Sequence, residues 1–212
     1  MQVAQVEQMV GKKLGAYRVE HLLGHGQLSA VYMARQSGQA DVQGRTVLMT
    51  IFHYPAELSE QERRQLHSSF EHEGAALVRL HHPNILPTYD FGEQAGYPYL
   101  VTAFARGASL AQLVKQQKRM SPEHALHILR QLADGLDYAH SNSVTHGILS
   151  LSNVLVNDDF TVQLAGFGLK IMLEAHRDRR SSHPQAHLLS AAGTFLGSPA
   201  YIAPERVQGL PA

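Results

Sequence analysis

Cysteine is absent from the 212-residue chain, which removes disulfides, thiolate zinc sites and thiol catalysis and suits a reducing compartment. Net charge is absent too, since 18 Lys and Arg balance 18 Asp and Glu. Without a long-range field the chain has no electrostatic reason to seek nucleic acid or an anionic membrane. No apolar run approaches the ~18 residues of a membrane span, and residues 1–10 do not read as a secretory leader. A cytoplasmic location is the expectation. What the chain does have is material for a core: 44% hydrophobic against 17% charged residues marks a globular chain rather than a disordered one.

The hydrophobic pattern changes character near residue 105. Ahead of it, segments 17–23, 30–34, 46–52, 85–89 and 97–104 are short and rich in Val, Ile, Tyr and Phe, which predicts strands. Between the third and fourth, Ser59-Glu60-Gln61-Glu62 forms a capping box, in which serine and glutamate satisfy each other's free amides at a helix start. That helix carries Leu66, Phe70, Leu77 and Leu80 on one stripe and stops before Pro83. Beyond a turn at Arg106-Gly107, Ser109 can cap a short helix. Ser121-Pro122 opens a long one, 121–141, with serine as cap and proline at the first helical position. Its apolar face reads as Ala125, Leu126, Leu129, Leu132, Ala133 and Leu136. Short strand signals follow at 153–156 and 160–164, then a polar stretch, 174–190, without a clear period. The fold class expected is α+β: a small sheet with one helix, then a mainly helical part.

Gly24-His25-Gly26 and Val31 lie between the first two strands, where glycines let backbone amides close over phosphates. Glycines at a hairpin serve tight turns equally well. Later motifs give the loop its context. Glu73 is followed by His82-Pro83-Asn84-Ile85, and Tyr99-Leu100-Val101 leads to Gly107-x-Ser109-Leu110. His146 then stands seven residues before Asn153, and Gly166-Phe167-Gly168 and Ala203-Pro204-Glu205 complete the series. In this order the chain resembles the protein kinase family, from about Leu14 to Glu205. The resemblance implies a two-lobed fold with ATP between the lobes. A tail, 1–13, would precede a sheet-rich N-lobe, 14–104; an incomplete helical C-lobe, 105–212, would include an activation-segment-like loop, 166–205. The implied nucleotide cleft is vestigial and lined by Gly24, Gly26, Val31, Leu48, Glu73, Thr102, Ala103, Asn153 and Leu155.

The same resemblance marks what has been replaced. The family's third-strand lysine, which holds the α- and β-phosphates and pairs with the helix glutamate, falls on Thr50, so Glu73 would face a hydroxyl in place of an ammonium. The catalytic aspartate falls on Ile148, which cannot accept a proton. The metal-binding aspartate falls on Gly166, leaving Asn153 as the one matching magnesium ligand, and a lone neutral amide is a poor ligand for a hard cation. Ser29 replaces the loop's third glycine, Leu48 the alanine over adenine, Gly147 the arginine that reads a phosphorylated segment, and Ser150 the catalytic-loop lysine. Packing positions survive. Leu77, His146 and Phe167 match three members of the family's stacked regulatory column, with Thr88 as the fourth, and Val31 and Leu155 match the pair that sandwiches adenine.

These replacements imply a pseudokinase of serine/threonine type, a signalling scaffold or regulatory binding module with no catalytic residue, no metal, and ATP and magnesium bound weakly or not at all. One alternative is an active kinase with atypical residues; Asp158 and Asp159 are near in sequence but sit at a strand turn. Another is a non-functional remnant. The family's C-lobe continues past the A-P-E motif whereas this chain stops at Ala212. The expectation is therefore a fragment, or a protein partner or self-association covering the apolar face of helix 121–141. Fourteen histidines raise the question of metal binding. The pairs His124/His127 and His183/His187 have no acidic residue at ligand spacing and read as scattered histidines. The basic run Arg177, Arg179 and Arg180 with Ser181 and Ser182 could bind an acidic partner or present its serines to another kinase; a solvated loop is the plainer reading.

Overall fold

The computed structural model describes residues 9–26, 29–37, 44–54, 58–105, 107–117, 119–168, 199–202 and 204. The basic stretch with Ser181 and Ser182, the pair His183/His187, and Ala203 and Glu205 of the last motif lie outside the described residues.

Strands β1 (Lys13–Leu14), β2 (Tyr17–His25), β3 (Ser29–Gln36), β4 (Thr46–Phe52), β5 (Thr88–Gln94) and β6 (Tyr97–Ala103) form one sheet in the order β1-β2-β3-β4-β6-β5. Every pairing in it is antiparallel. Strict alternation decides which face each residue takes. Ala30, Tyr32 and Ala34 of β3 and Val47, Met49 and Ile51 of β4 are buried, and they join Leu14, Tyr17, Val19, Tyr99 and Val101 in a core belonging to the sheet alone. Met9 is buried in the same core, so packing of this lobe begins ahead of Leu14. The alternate residues Val31, Met33, Leu48 and Thr50 stay half-buried on the other face.

Helix α1 (Glu60–Arg79) starts at the capping box, with both reciprocal bonds between Ser59 and Glu62 formed. It buries Phe70, Gly74 and Leu77. Phe70 meets Phe52 and Phe91 edge-on, with ring centroids 5.8 and 6.4 Å away. Gly74 permits that closeness, because a Cβ there would come within 2.5 Å of the Phe91 ring.

The second lobe holds α2 (Leu110–Gln117), α3 (Pro122–Ser141), a short 3₁₀ turn (Leu151–Asn153) and a three-stranded sheet of β7 (Ala108–Ser109), β8 (Val154–Val156) and β9 (Val162–Leu164). Ser109 and Gln112 close a reciprocal cap at α2, and the Ser121 hydroxyl accepts from the His124 amide at α3. A second core runs through both lobes: Phe52, Phe70, Leu77 and Leu100 pack in one cluster with Ile128, Val154, Leu164 and Phe167.

Two expectations are corrected. The strand expected at 85–89 begins at Thr88 instead. Ile85 makes a single bridge to Leu164, and Pro87, which has no amide hydrogen, offers only its carbonyl, to the Ala103 amide. The buried stripe of α3 is Ile128, Gly135 and Ala139, while Leu126 and Leu129 point outward at 51% and 59% exposure. Gly135 decides this. A Cβ there would lie 3.2 Å from the Asn84 carbonyl oxygen, so the smallest residue, not the largest, marks the face that docks closest.

Candidate functional site

The cleft expected between the lobes takes its upper wall from the half-buried face of the sheet. Cross-strand neighbours share a face. Thr50 lies opposite Val31 on one side and Leu100 on the other, and Leu48 opposite Met33 and Thr102. Ala103 ends β6, its amide donated to the Pro87 carbonyl at 2.9 Å. Glu73 stands half-buried on α1, one turn before Leu77. Leu155 supplies the lower wall from β8, half-buried opposite Ser109 and Gln163.

The glycine loop is a hairpin whose strands pair almost to the tip. Gly24 lies opposite Val31, His25 opposite Ala30, and the Gly26 amide donates to the Ser29 carbonyl at 2.8 Å. Neither Gly24 nor Gly26 takes a left-handed backbone, and neither would bring a Cβ closer than 3.9 Å to another residue. Backbone conformation therefore does not require glycine at either position, and both leave open space beside the strand.

Below the cleft the segment 146–153 is tied to 165–167. The Asn153 carbonyl accepts from the Ala165 amide at 2.8 Å, which sets Asn153 beside Gly166. The Asn153 side-chain oxygen already accepts from the Ser150 hydroxyl at 2.7 Å. Ser150, which stands where the family has lysine, thus closes a small turn onto the one residue matching a magnesium ligand. The S-x-x-N spacing could have signalled this turn. Gly166 has φ +87°, a backbone glycine adopts freely and aspartate tolerates better than most residues. Ile148 is half-buried and apolar.

Across these positions Glu73 alone carries a charge. Among the described residues no group of three or more His, Asp or Glu could hold a metal ion. A neutral amide and a glycine do not fit a magnesium nucleotide, which needs several oxygen ligands and neutralising charge. Asp158 and Asp159 are exposed, and Asp159 accepts from the Thr161 amide at the β8–β9 turn, which holds its carboxyl below its ordinary value.

Of the packing positions beneath, His146 and Phe167 are in contact. The His146 and Phe167 rings lie 4.5 Å apart between centroids, and Leu77 is buried in the same core as Phe167. Thr88, the fourth position, is half-buried at the start of β5. His146 Nε2 faces the Ala165 carbonyl at 2.9 Å, so that nitrogen carries the hydrogen, and Nδ1 is buried without a partner. Burial pushes the imidazole below its ordinary value, outweighing the bond to Ala165. The neutral form is therefore favoured in the fold, while the unfolded chain protonates near pH ~6.5. This stabilisation is complete above that pH and drains away as pH falls through it. Urea midpoints should fall more steeply between pH 7 and 5.5 in the parent than in His146→Phe; parallel slopes would remove His146 as the cause.

The protein kinase domain model matches residues 17–212. The chain belongs to the protein kinase family. Serine/threonine-protein kinase PLK4 of Drosophila virilis is 32% identical over 210 residues, covering 95% of this chain and 24% of that protein. Serine/threonine-protein kinase PknD of Mycobacterium tuberculosis is 30% identical over 200 residues, covering 94% of this chain and 27% of its own length. The chain thus spans about a quarter of the curated relatives it matches. Crystal structures of the Mycobacterium tuberculosis PknI kinase domain match its fold. A double-mutant form of that domain gives a TM-score of 0.65 at 21% identity, over 96% of this chain and 70% of that one. The kinase-like fold, an antiparallel N-lobe sheet with one helix above a C-lobe of few helices, stands on that match and on the family.

Proposed function

We propose that this kinase-family chain is a pseudokinase, a cytoplasmic scaffold or regulatory binding module that acts through protein contacts and binds nucleotide weakly or not at all. The observation that carries the reading is the uncharged set Thr50, Ile148 and Gly166, which leaves the neutral Asn153 as the one residue matching a metal ligand. Phosphoryl transfer depends on positioning and charge neutralisation. Losing a general base typically costs ~10²–10⁴ in rate, and here the phosphate and metal clamps are replaced as well. A protein partner or a second copy would meet the outward face of α3, where Leu126 and Leu129 are exposed.

A second reading, an active kinase with atypical residues, draws on the open space beside Gly24 and Gly26. Thermal melting separates the two. A ligand at 100 times its dissociation constant stabilises the folded state by about 2.7 kcal/mol, several degrees for a domain of this size. The proposal expects no shift with millimolar ATP and magnesium. A magnesium-dependent shift, with γ-phosphate label transferred to a protein substrate, would replace it with the second reading.

A further inference from the structure

The chain is neutral as a whole, yet its charges are unevenly spread. Through the described residues of the first four strands, 9–26, 29–37 and 44–54, Glu20 is the one acid against Lys12, Lys13, Arg18, Arg35 and Arg45. The strand register brings three of these cations into a single row. Lys13 lies directly opposite Arg18, Arg18 directly opposite Arg35, and Arg35 opposite Thr46. Directly opposed residues share a face with Cβ atoms ~4.5–5.5 Å apart, and like charges placed so are destabilising. The row therefore crosses three strands, about 10 Å from its first cation to its third, at a cost that the pairing of the sheet does not itself offset.

Within the chain the row is answered at one end alone. Arg35 Nε and Nη2 donate to the two Glu20 carboxylate oxygens at 2.7 and 3.4 Å. Arg45 is engaged elsewhere, over the Tyr89 ring at 4.7 Å. Lys13 and Arg18 are exposed, and among the described residues neither forms an ion pair. The backbone edge beside them is closed. β1 is an outer strand of the sheet, but the Gly15 amide donates to Gln94 Oε1 at 2.8 Å and Gln94 Nε2 donates to the Lys13 carbonyl at 3.2 Å. The last residue of β5, the other outer strand, thus occupies the groups that an added strand would use. What remains for a partner is the charged side chains on the sheet face. Tyr17 and Tyr32 of the same strands are buried on the opposite face, so they offer the row no ring on which a nucleic-acid base could stack.

We infer that the row Lys13, Arg18 and Arg35 is a docking surface for an extended acidic segment of a partner protein, with carboxylates at alternate positions. Alternate side chains of an extended segment project to one side about 6.8 Å apart, and the flexible Lys and Arg stems accommodate that spacing. Two such carboxylates neutralise Lys13 and Arg18 and leave the Arg35–Glu20 pair as the end of the row. The surface lies apart from the exposed face of α3 and goes beyond the proposed function, since it holds whether or not the cleft takes nucleotide. Opposed cations weaken the free sheet, and a ligand that supplies the missing negative charge relieves the repulsion as it binds.

The test is fluorescence anisotropy on the full chain with a dye-labelled decapeptide of alternating Glu and Ala, set against its Gln-for-Glu counterpart. The Glu peptide should bind at low salt and lose about tenfold in affinity at about 0.5 M salt, while the Gln peptide should not bind. Arg18→Gln should weaken binding about threefold, and Lys13→Glu with Arg18→Glu about tenfold or more. Arg64→Gln, which removes an exposed arginine paired with Glu60 on α1, should leave binding unchanged. The free Arg18→Gln chain should melt no lower than the parent, because it loses a repulsion. A Glu peptide that does not bind overturns the inference, as does Arg64→Gln weakening it as much as Arg18→Gln. A lower melting temperature for free Arg18→Gln would make the row a structural support instead. Equally tight binding of a single-stranded oligonucleotide or of phosphatidylserine vesicles, lost through the same variants, would overturn it in favour of a general anion surface.

Discussion

Truncating Phe167 to alanine should cost roughly 3–5 kcal/mol, the range for removing a buried phenylalanine from a close-packed core. The side chain is 5% exposed, rests against His146, and belongs to the one cluster that includes residues of both lobes. Collapse around the cavity is restricted on two sides: the Ala165 carbonyl holds the His146 ring, and α1 fixes Leu77. Against a typical total stability of 5–15 kcal/mol, the loss should lower the melting temperature by about 10 °C. Leu129→Ala is the control. It removes a large apolar side chain from a position 59% exposed and should stay within about 0.5 kcal/mol of the parent. Equal losses in the two variants, read from urea or thermal unfolding, would show that Phe167 is not part of a continuous interior.

The second large effect is a gain. Returning charge to the cleft through Thr50→Lys, Ile148→Asp and Gly166→Asp together should create a magnesium-dependent response to ATP beyond whatever the parent shows, which the proposed reading expects to be nil. Lysine at 50 would stand on the half-buried sheet face beside Val31, with Glu73 on the helix as the family's partner for it. Aspartate at 166 would occupy a backbone at φ +87°, which costs about 1–2 kcal/mol for a residue other than glycine. The apo triple variant should therefore melt below the parent, and saturating ATP with magnesium should recover several degrees. Each single variant should recover less, because the clamps act as a set. A triple variant that stays unresponsive would mean that charge at these three positions does not by itself support nucleotide binding, and would move attention to Leu48 and Ser29.

Local rules made much of this fold legible. Both long helices begin at their serine caps, and β4 spans the residues its pattern predicted, because caps and two-residue alternation act between near neighbours. The face of α3 was misread in part: Leu132 and Leu136 pack on the core as expected, but periodicity weighs hydrophobicity and ignores size, so Leu126 and Leu129 outscore Gly135, while contact with residue 84 selects the glycine. The hydrogen bond between the Asn84 and Gln131 side chains was invisible for a different reason. Its members are 47 positions apart, and an asparagine and a glutamine in isolation read as surface residues. At the cleft, the ordered motifs supplied the candidate positions. The Ser150–Asn153 bond needed coordinates, since spacing alone leaves a hydroxyl free to face solvent.

The glycine hairpin leaves one practical handle. With no left-handed backbone at Gly24 and nothing within 4 Å of a Cβ there, alanine in its place should firm the strand by about 0.5–1 kcal/mol. Position 24 is thus a place where a fluorescent reporter can be attached with little disturbance, putting a dye on the exposed end of the strand opposite Val31.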